Sequence, residues 1–212
     1  MTKKSLLKSW GYKMKYINWY KHYTQTKKLE YNKDSVKRYL KTDEPYLNLL
    51  KKHLKPKSKI LECGCGPSKT AISMTKKGFK ITAIDKDKKM LKMGQNNSKI
   101  AKGRIKFRLI DFFEMSKKFN KNQFDCATHQ GVLEHFTKKE IKKILKEQLK
   151  IVPKIIFSVP LKSKYSQKYY KDKIYRNLWK EKTWLKILKE FKIIDKKIVK
   201  QRTENLLIVI KK

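Results

Sequence analysis

Residues Ile60-Leu61-Glu62-Cys63-Gly64-Cys65-Gly66-Pro67-Ser68 constrain this chain more than any other stretch. An apolar run meets an acid, then two glycines two apart, then a residue suited to start a helix. A strand that feeds a glycine-rich turn into a helix is how an α/β sheet brings a nucleotide-like ligand against bare backbone. Glycine suits such a turn because a Cβ would stand in the ligand's way and because positive φ is often needed. One Gly-x-Gly is common, so its weight comes from what recurs downstream.

Downstream the apolar pattern alternates between strand and helix. It predicts strands over 59–63, 80–84, 105–110, 123–128 and 154–159, with helices over 68–77, 87–97, 137–149 and 183–191. Gly78 closes the first of these helices, and Thr137-x-x-Glu140 is a capping box that opens the third. A short irregular or helical piece follows the third strand. Residues 191–200 and 203–210 read as a closing antiparallel pair. Residues 1 to about 55 read as helical, with Thr42-Asp43-Glu44-Pro45 predicting the start of a helix that stops at Pro56. The expected fold is α/β and Rossmann-like. It has a seven-stranded, mostly parallel sheet, an antiparallel C-terminal strand pair and helices on both faces.

At 212 residues the chain can bury the core of one such domain and carry an appendage. No run of 18 apolar residues is present, so no membrane span is expected. The N-terminus has no apolar h-region, so no signal peptide is expected. Three cysteines, two of them in the glycine turn, make no disulfide framework and point to a reducing, cytoplasmic setting. Cys63-x-Cys65 has the wrong spacing for a zinc knuckle and Cys126 adds one further thiol, so no metal is expected.

The formal charge is +39, and five of the 57 basic residues are arginine (Arg38, Arg104, Arg108, Arg176, Arg202). A surface built for nucleic acid favours arginine for bidentate contacts. The lysine excess fits compositional drift, and a basic RNA-binding surface stands as the other reading. Either field draws anions. Against that background only 18 residues are acidic, and Glu62, Asp85, Asp111, Asp125 and Glu134 are each expected at or near a predicted strand's C-terminal end, along one edge of the sheet.

All eleven tyrosines lie within 12–46 or 165–175, and all four tryptophans (Trp10, Trp19, Trp179, Trp184) lie outside 47–164. Tyr and Trp suit surfaces apolar on one side and wet on the other. Two readings stand side by side: a lid over the ligand edge, or helices packed on the sheet. The domain organisation adopted is an N-terminal helical lid over 1–45 and a main domain over 46–212. A substrate-side insertion covers 161–182, and Lys164 and Lys168 attract negative charge there.

Glu62 ends the first strand and Asp85 the second, within Ala83-Ile84-Asp85-Lys86-Asp87. Asp111-Phe112 follows the third, and the fourth leads into His129-Gln130-Gly131-Val132-Leu133-Glu134-His135. As a set, over about residues 45–160, these resemble the class I S-adenosylmethionine-dependent methyltransferases, most closely the small-molecule, quinone-methyltransferase-like (type 11) group. The resemblance implies S-adenosylmethionine as cofactor. It implies that Gly64, Cys65 and Gly66 let the cofactor approach the backbone and that Glu62 receives its amino group. Asp85, with Lys86 beside it, would take the ribose hydroxyls, Asp111 and the Phe112 N–H the adenine, while Gln130 and Gly131 line the methyl-transfer side. His129, His135 and the lid tyrosines are candidate bases, needed only where the nucleophile holds a proton.

Plainer roles exist for the same residues. Asp85 and Asp87 suit helix caps, Asp111 a turn, and His135 a packing position. A nicotinamide-binding enzyme would use Asp85 equally, but Lys69 stands where its third glycine belongs, and Glu62 and Asp111-Phe112 would have no part. The chain lacks the Pro-Pro-Tyr clamp for base amino groups and the Pro-Cys nucleophile of cytosine enzymes, which tilts the acceptor away from nucleobases. The reading is a cytoplasmic methyltransferase acting on an anionic small-molecule or lipid-like acceptor, with weak non-specific nucleic-acid binding. The alternative is a basic RNA-binding or RNA-modifying protein on a methyltransferase fold.

Overall fold

The computed structural model describes residues 17–27, 29, 31–172, 174–200 and 203–212. Trp10, Tyr12 and Tyr16 of the aromatic N-terminus lie outside them. Among the described residues, seven strands form one sheet: β1 (Lys59–Cys63), β2 (Lys80–Asp85), β3 (Ile105–Leu109), β4 (Cys126–Gln130), β5 (Lys154–Pro160), β6 (Lys192–Lys200) and β7 (Glu204–Lys211). Their order is β3-β2-β1-β4-β5-β7-β6. β1 to β5 pair in parallel, and β7 runs antiparallel to both β5 and β6. Chain order therefore reverses between β1 and β4, where open α/β sheets hold their ligands.

The helices are α1 (Trp19–Lys21, continuing as a π turn over His22–Thr26), α2 (Lys33–His53), α3 (Lys69–Lys76), α4 (Lys88–Ile100), α5 (Lys138–Ile151), α6 (Lys164–Tyr169) and α7 (Glu181–Ile187). The period of two along each strand sorts the core into two layers. Ile60, Cys126, Ile156 and Val209 face Tyr46 and Leu50 of α2, Met74 of α3 and Leu91 of α4. Leu61, Ala127, Phe157 and Ile208 face Ile141 and Leu145 of α5 and Trp184 of α7. The central strands are buried on both sides, so they read as nearly unbroken apolar runs. Edge strand β6 instead alternates, and its lysines discourage further pairing.

The N-terminal helix corrects the sequence expectation. α2 begins after Asn32, whose side chain accepts from Ser35 N while the Ser35 hydroxyl serves the Asn32 backbone. Thr42 is inside the helix, its hydroxyl donating to Arg38 O at 2.9 Å, and Pro45 is interior as well. The boundary drawn at 45/46 thus falls within one continuous helix. Tyr46 anchors that helix to the sheet, its hydroxyl donating to Ile156 O at 2.7 Å. β4 starts at Cys126 rather than 123, which leaves Asp125 before the strand, accepting from Lys59 N at 2.7 Å. Asp125 therefore sits at the N-terminal edge of the sheet, opposite the edge where the expectation placed it. No helix among the described residues is long and apolar enough to cross a membrane.

Candidate functional site

The turn after β1 is tied to β2. Gly64 N and Cys65 N both donate to Ile84 O, at 2.9 and 3.0 Å, and Gly64 and Gly66 have φ of 70° and 51°. Gly66 N donates to Asp85 Oδ2 at 2.9 Å, while Asp85 Oδ1 accepts from Asp87 N at 2.9 Å. Asp87, not Asp85, caps α4 through Lys89 N and Met90 N. Asp85 thus clamps the turn against the end of β2 and keeps free lone pairs on both oxygens. Burial raises its pKa, and the two backbone N–H groups oppose that rise.

Two contributors escaped the sequence reading. A Cβ on Gly94 of α4 would stand 2.3 Å from Ser68 Oγ and 3.1 Å from Gly66 O, so α4 presses on the turn through a bare Cα. Asn97, one turn later, donates to Pro67 O at 2.9 Å from a buried position. The signal for Gly94 was an isolated glycine inside a helix, which usually has a packing reason.

Glu62 projects to the α2–α3 face and is 4% exposed. Its Oε2 has no hydrogen-bond partner among the described residues. Burial pushes its pKa well up, with Asp43 and then Asp85 adding to the rise. Asp43 of α2, also buried, is raised to about 6, chiefly by burial, and its Oδ2 lacks a partner among the described residues. The layer between β1 and α2 therefore holds two partly unsatisfied acids. Asp111, at the end of β3, accepts from Phe113 N at 3.0 Å, and the Phe112 ring lies near Gly64. Gln130 Oε1 accepts from Thr70 Oγ1 at 3.0 Å, which bridges β4 to α3. Lys86 is exposed beyond the turn, Cys65 is buried within it, and Gly131 (φ 67°) is exposed at the end of β4.

The two candidate histidines differ in kind. His129 is 1% exposed, faces the α5 layer and stacks on Phe157 with ring centroids 5.1 Å apart. It is a core residue, its ring covered by Phe157 and Gln148 on the α5 side of the sheet. Burial holds its pKa at about 3, well under 6.5. In that window the unfolded chain takes up a proton at His129 that the native chain does not. Stability is thus present above pH 6.5 and falls as pH drops toward 3. The His129→Phe variant should lose about 2–3 kcal/mol less than the wild type between neutral pH and about pH 4 in urea unfolding. Equal acid sensitivity in the two proteins would contradict this.

His135 instead faces the segments that cover the edge. Its Nδ1 lies 2.8 Å from the Tyr175 carbonyl, which can only accept, so Nδ1 carries the proton. Burial lowers its pKa to about 4. The Trp19 ring stands 4.8 Å away, edge on. Lys27 pairs with Asp172 at 3.7 Å, and Lys69 lies 5.8 Å over the Tyr23 ring. Asn177 fastens the second segment by donating from N to Glu134 O and from Nδ2 to Phe136 O, at 2.8 and 2.6 Å. Both aromatic segments thus meet the residues after Gly131, and the first also reaches Lys69 and Lys89 at the starts of α3 and α4.

The aromatic partition is not uniform in role. Tyr165 and Tyr175 are exposed, as are Lys164 and Lys168, whereas Tyr170 turns inward with Arg176 4.3 Å over its ring. Trp184 is wholly buried in the core beside Trp179. Among the described residues no cluster of three or more His, Cys, Asp and Glu could hold a metal ion. The three thiols are buried and free.

Residues 60–153 match the family model described as a methyltransferase domain. No curated protein matches the chain in sequence. Among solved structures, the chain is similar to magnesium protoporphyrin IX methyltransferase from Synechocystis PCC 6803, crystallised with bound S-adenosylhomocysteine. Identity is 17%, coverage 82% of this chain and 84% of that one, and the TM-score 0.64. A protein from Pyrococcus horikoshii OT3 matches at 18% identity over 85% and 94% of the two chains, with a TM-score of 0.68. The 1,6-didemethyltoxoflavin-N1-methyltransferase of Burkholderia thailandensis matches at 18% identity over 79% and 76%, with a TM-score of 0.63.

Proposed function

We propose that the chain, whose residues 60–153 match a methyltransferase domain, is a class I, S-adenosylmethionine-dependent methyltransferase of the small-molecule type that methylates a small, anionic or lipid-like acceptor in the cytoplasm. Its cofactor is S-adenosylmethionine. The observation that carries the reading is the Asp85–Gly66 clamp beside the Glu62 carboxyl, whose Oε2 has no hydrogen-bond partner among the described residues, both at the reversal between β1 and β4.

The residues present fit that cofactor. Glu62 Oε2 offers an unfilled acceptor to an amino group. A cationic donor there would also relieve the burden of buried acids at Glu62 and Asp43. Asp85 retains a lone pair on each oxygen for a pair of ribose hydroxyls. A Cβ on Gly66 would meet only Met90 Cε, at 3.7 Å, so the backbone lies open to a ligand. Asp111 and Phe112 would flank the adenine, with Cys65 and Lys86 at the turn. Gln130 and Gly131 would line the methyl side. When bound, the cofactor supplies an activated methyl group, and the protein's part is to hold the two reactants in line and dry. The α1 turn, residues 17–27, and residues 169–172 and 174–176 are the parts we assign to a lid over that edge.

Two features support the acceptor class. The +39 field draws anions toward the molecule, and nucleic acid non-specifically with them. The aromatic side chains Trp19, Tyr23 and Tyr170 suit an acceptor with a flat or apolar body.

Calorimetry tests the cofactor assignment. S-adenosylhomocysteine should bind, and Asp85→Ala should weaken it by about 1–3 kcal/mol, since the ribose contact and the turn clamp are lost together. Binding of NADH in its place, or undiminished affinity in the variant, would refute it.

A further inference from the structure

One buried acid has no part in the clamp or the turn. Glu134 follows β4 in the 3₁₀ turn Leu133–His135 and is 2% exposed. Its carboxyl points back to the methyl side: a Cβ on Gly131 would stand 3.5 Å from Oε1. Its Oε2 is buried with no hydrogen-bond partner among the described residues. An unmet buried acceptor is costly, so such an oxygen suits a donor arriving from outside.

We propose that Glu134 is the general base of the transfer, and that the acceptor's reacting atom is a hydroxyl oxygen or ring nitrogen that still bears its proton at neutral pH. This rests on the methyltransferase reading. As the acceptor's O or N bonds to the methyl carbon, the carbon–sulfur bond breaks and its electron pair stays on sulfur. The acceptor's proton passes to the Glu134 carboxylate and leaves to water after product departs. One positive charge on sulfur and one negative charge on Glu134 vanish together, so the step is balanced.

The surroundings favour Glu134 over its neighbour. His135 Nδ1 is engaged by the Tyr175 carbonyl, and its Nε2 stands 3.8 Å from Glu134 Oε1, too far for a hydrogen bond. The other charged or titratable groups facing Glu134 are Tyr23 from the N-terminal segment and Tyr170 and Arg176 from the opposite one. Tyr23 is raised to about 12, chiefly by burial, and cannot act as the base at neutral pH. Arg176 is held by Asp172, at 2.5 Å, which limits its pull on Glu134. Burial lifts Glu134 to about 7, opposed by its own backbone N–H and Arg176, whereas His135 is held at about 4. A base works best with a pKa near the working pH. Carboxylate and thiolate acceptors need no base, and this site would give them no advantage.

The test needs no known acceptor. A sulfonium beside Glu134 favours its ionised form, whereas the neutral sulfur of S-adenosylhomocysteine does not. Calorimetry at pH 7 in buffers of differing ionisation enthalpy should find S-adenosylmethionine releasing up to about half a proton more than S-adenosylhomocysteine. That excess should vanish in Glu134→Gln and persist in Glu134→Asp, with S-adenosylhomocysteine affinity within about threefold throughout as the check on folding. Labelled-methyl transfer to a panel of phenols and ring N–H compounds should fall by about 10²–10⁴ in Glu134→Gln. Equal proton release in wild type and Glu134→Gln, or transfer at the wild-type rate in that variant, would overturn the proposal. Failure of the wild type to bind either compound would instead overturn the methyltransferase reading, and this one with it.

Discussion

Deleting residues 1–30 should abolish methyl transfer while leaving affinity for S-adenosylhomocysteine within about tenfold, or ~1.4 kcal/mol. The truncation removes Trp19 from His135, Tyr23 from Lys69 and Lys27 from Asp172, all contacts above the strand ends. It leaves the Asn32 cap of α2 and every group assigned to the cofactor. A lid of this kind excludes water and completes the acceptor pocket, so its loss should fall on transfer and not on cofactor binding. The readout is labelled-methyl transfer to a small-molecule extract of the source cells, with calorimetry alongside. Full activity in the truncated protein would show that the N-terminal aromatics only pack.

The largest loss of stability should come from Trp184→Ala. Trp184 heads the fully buried side chains by volume and belongs to the layer under α5 and α7. Truncation leaves a cavity where an indole stood, which costs about 3–5 kcal/mol, a large share of a typical 5–15 kcal/mol. Urea unfolding should show a lower midpoint with an unchanged slope. Trp184→Phe should be far milder, because the ring survives and the buried indole N–H, unpartnered among the described residues, is removed. A Trp184→Ala cost under about 1 kcal/mol would mean that the layer collapses around the gap.

Local pattern determined much of this protein. The alternation of strand and helix, the glycine turn, the Thr137–Glu140 capping box and the closing antiparallel pair all depend on residues close in sequence, and they appear in the fold. Glu62, Asp85 and Asp111 could be placed at one edge because a parallel strand's end is marked by where its apolar run stops. Tertiary structure decided the rest. Pro45 looks the same locally whether it opens a helix or sits inside one, and only the packing of Tyr46 and Leu50 on the sheet carries α2 through it. A shift in where β4 begins sends Asp125 to the far edge, and the period of two sends His129 into the α5 layer. Gly94 against Ser68, and Glu134 beneath Tyr23 and Tyr170, are meetings of distant segments. No short-range pattern encodes them, because they arise only when separate helices and loops compete for the same space above the strand ends.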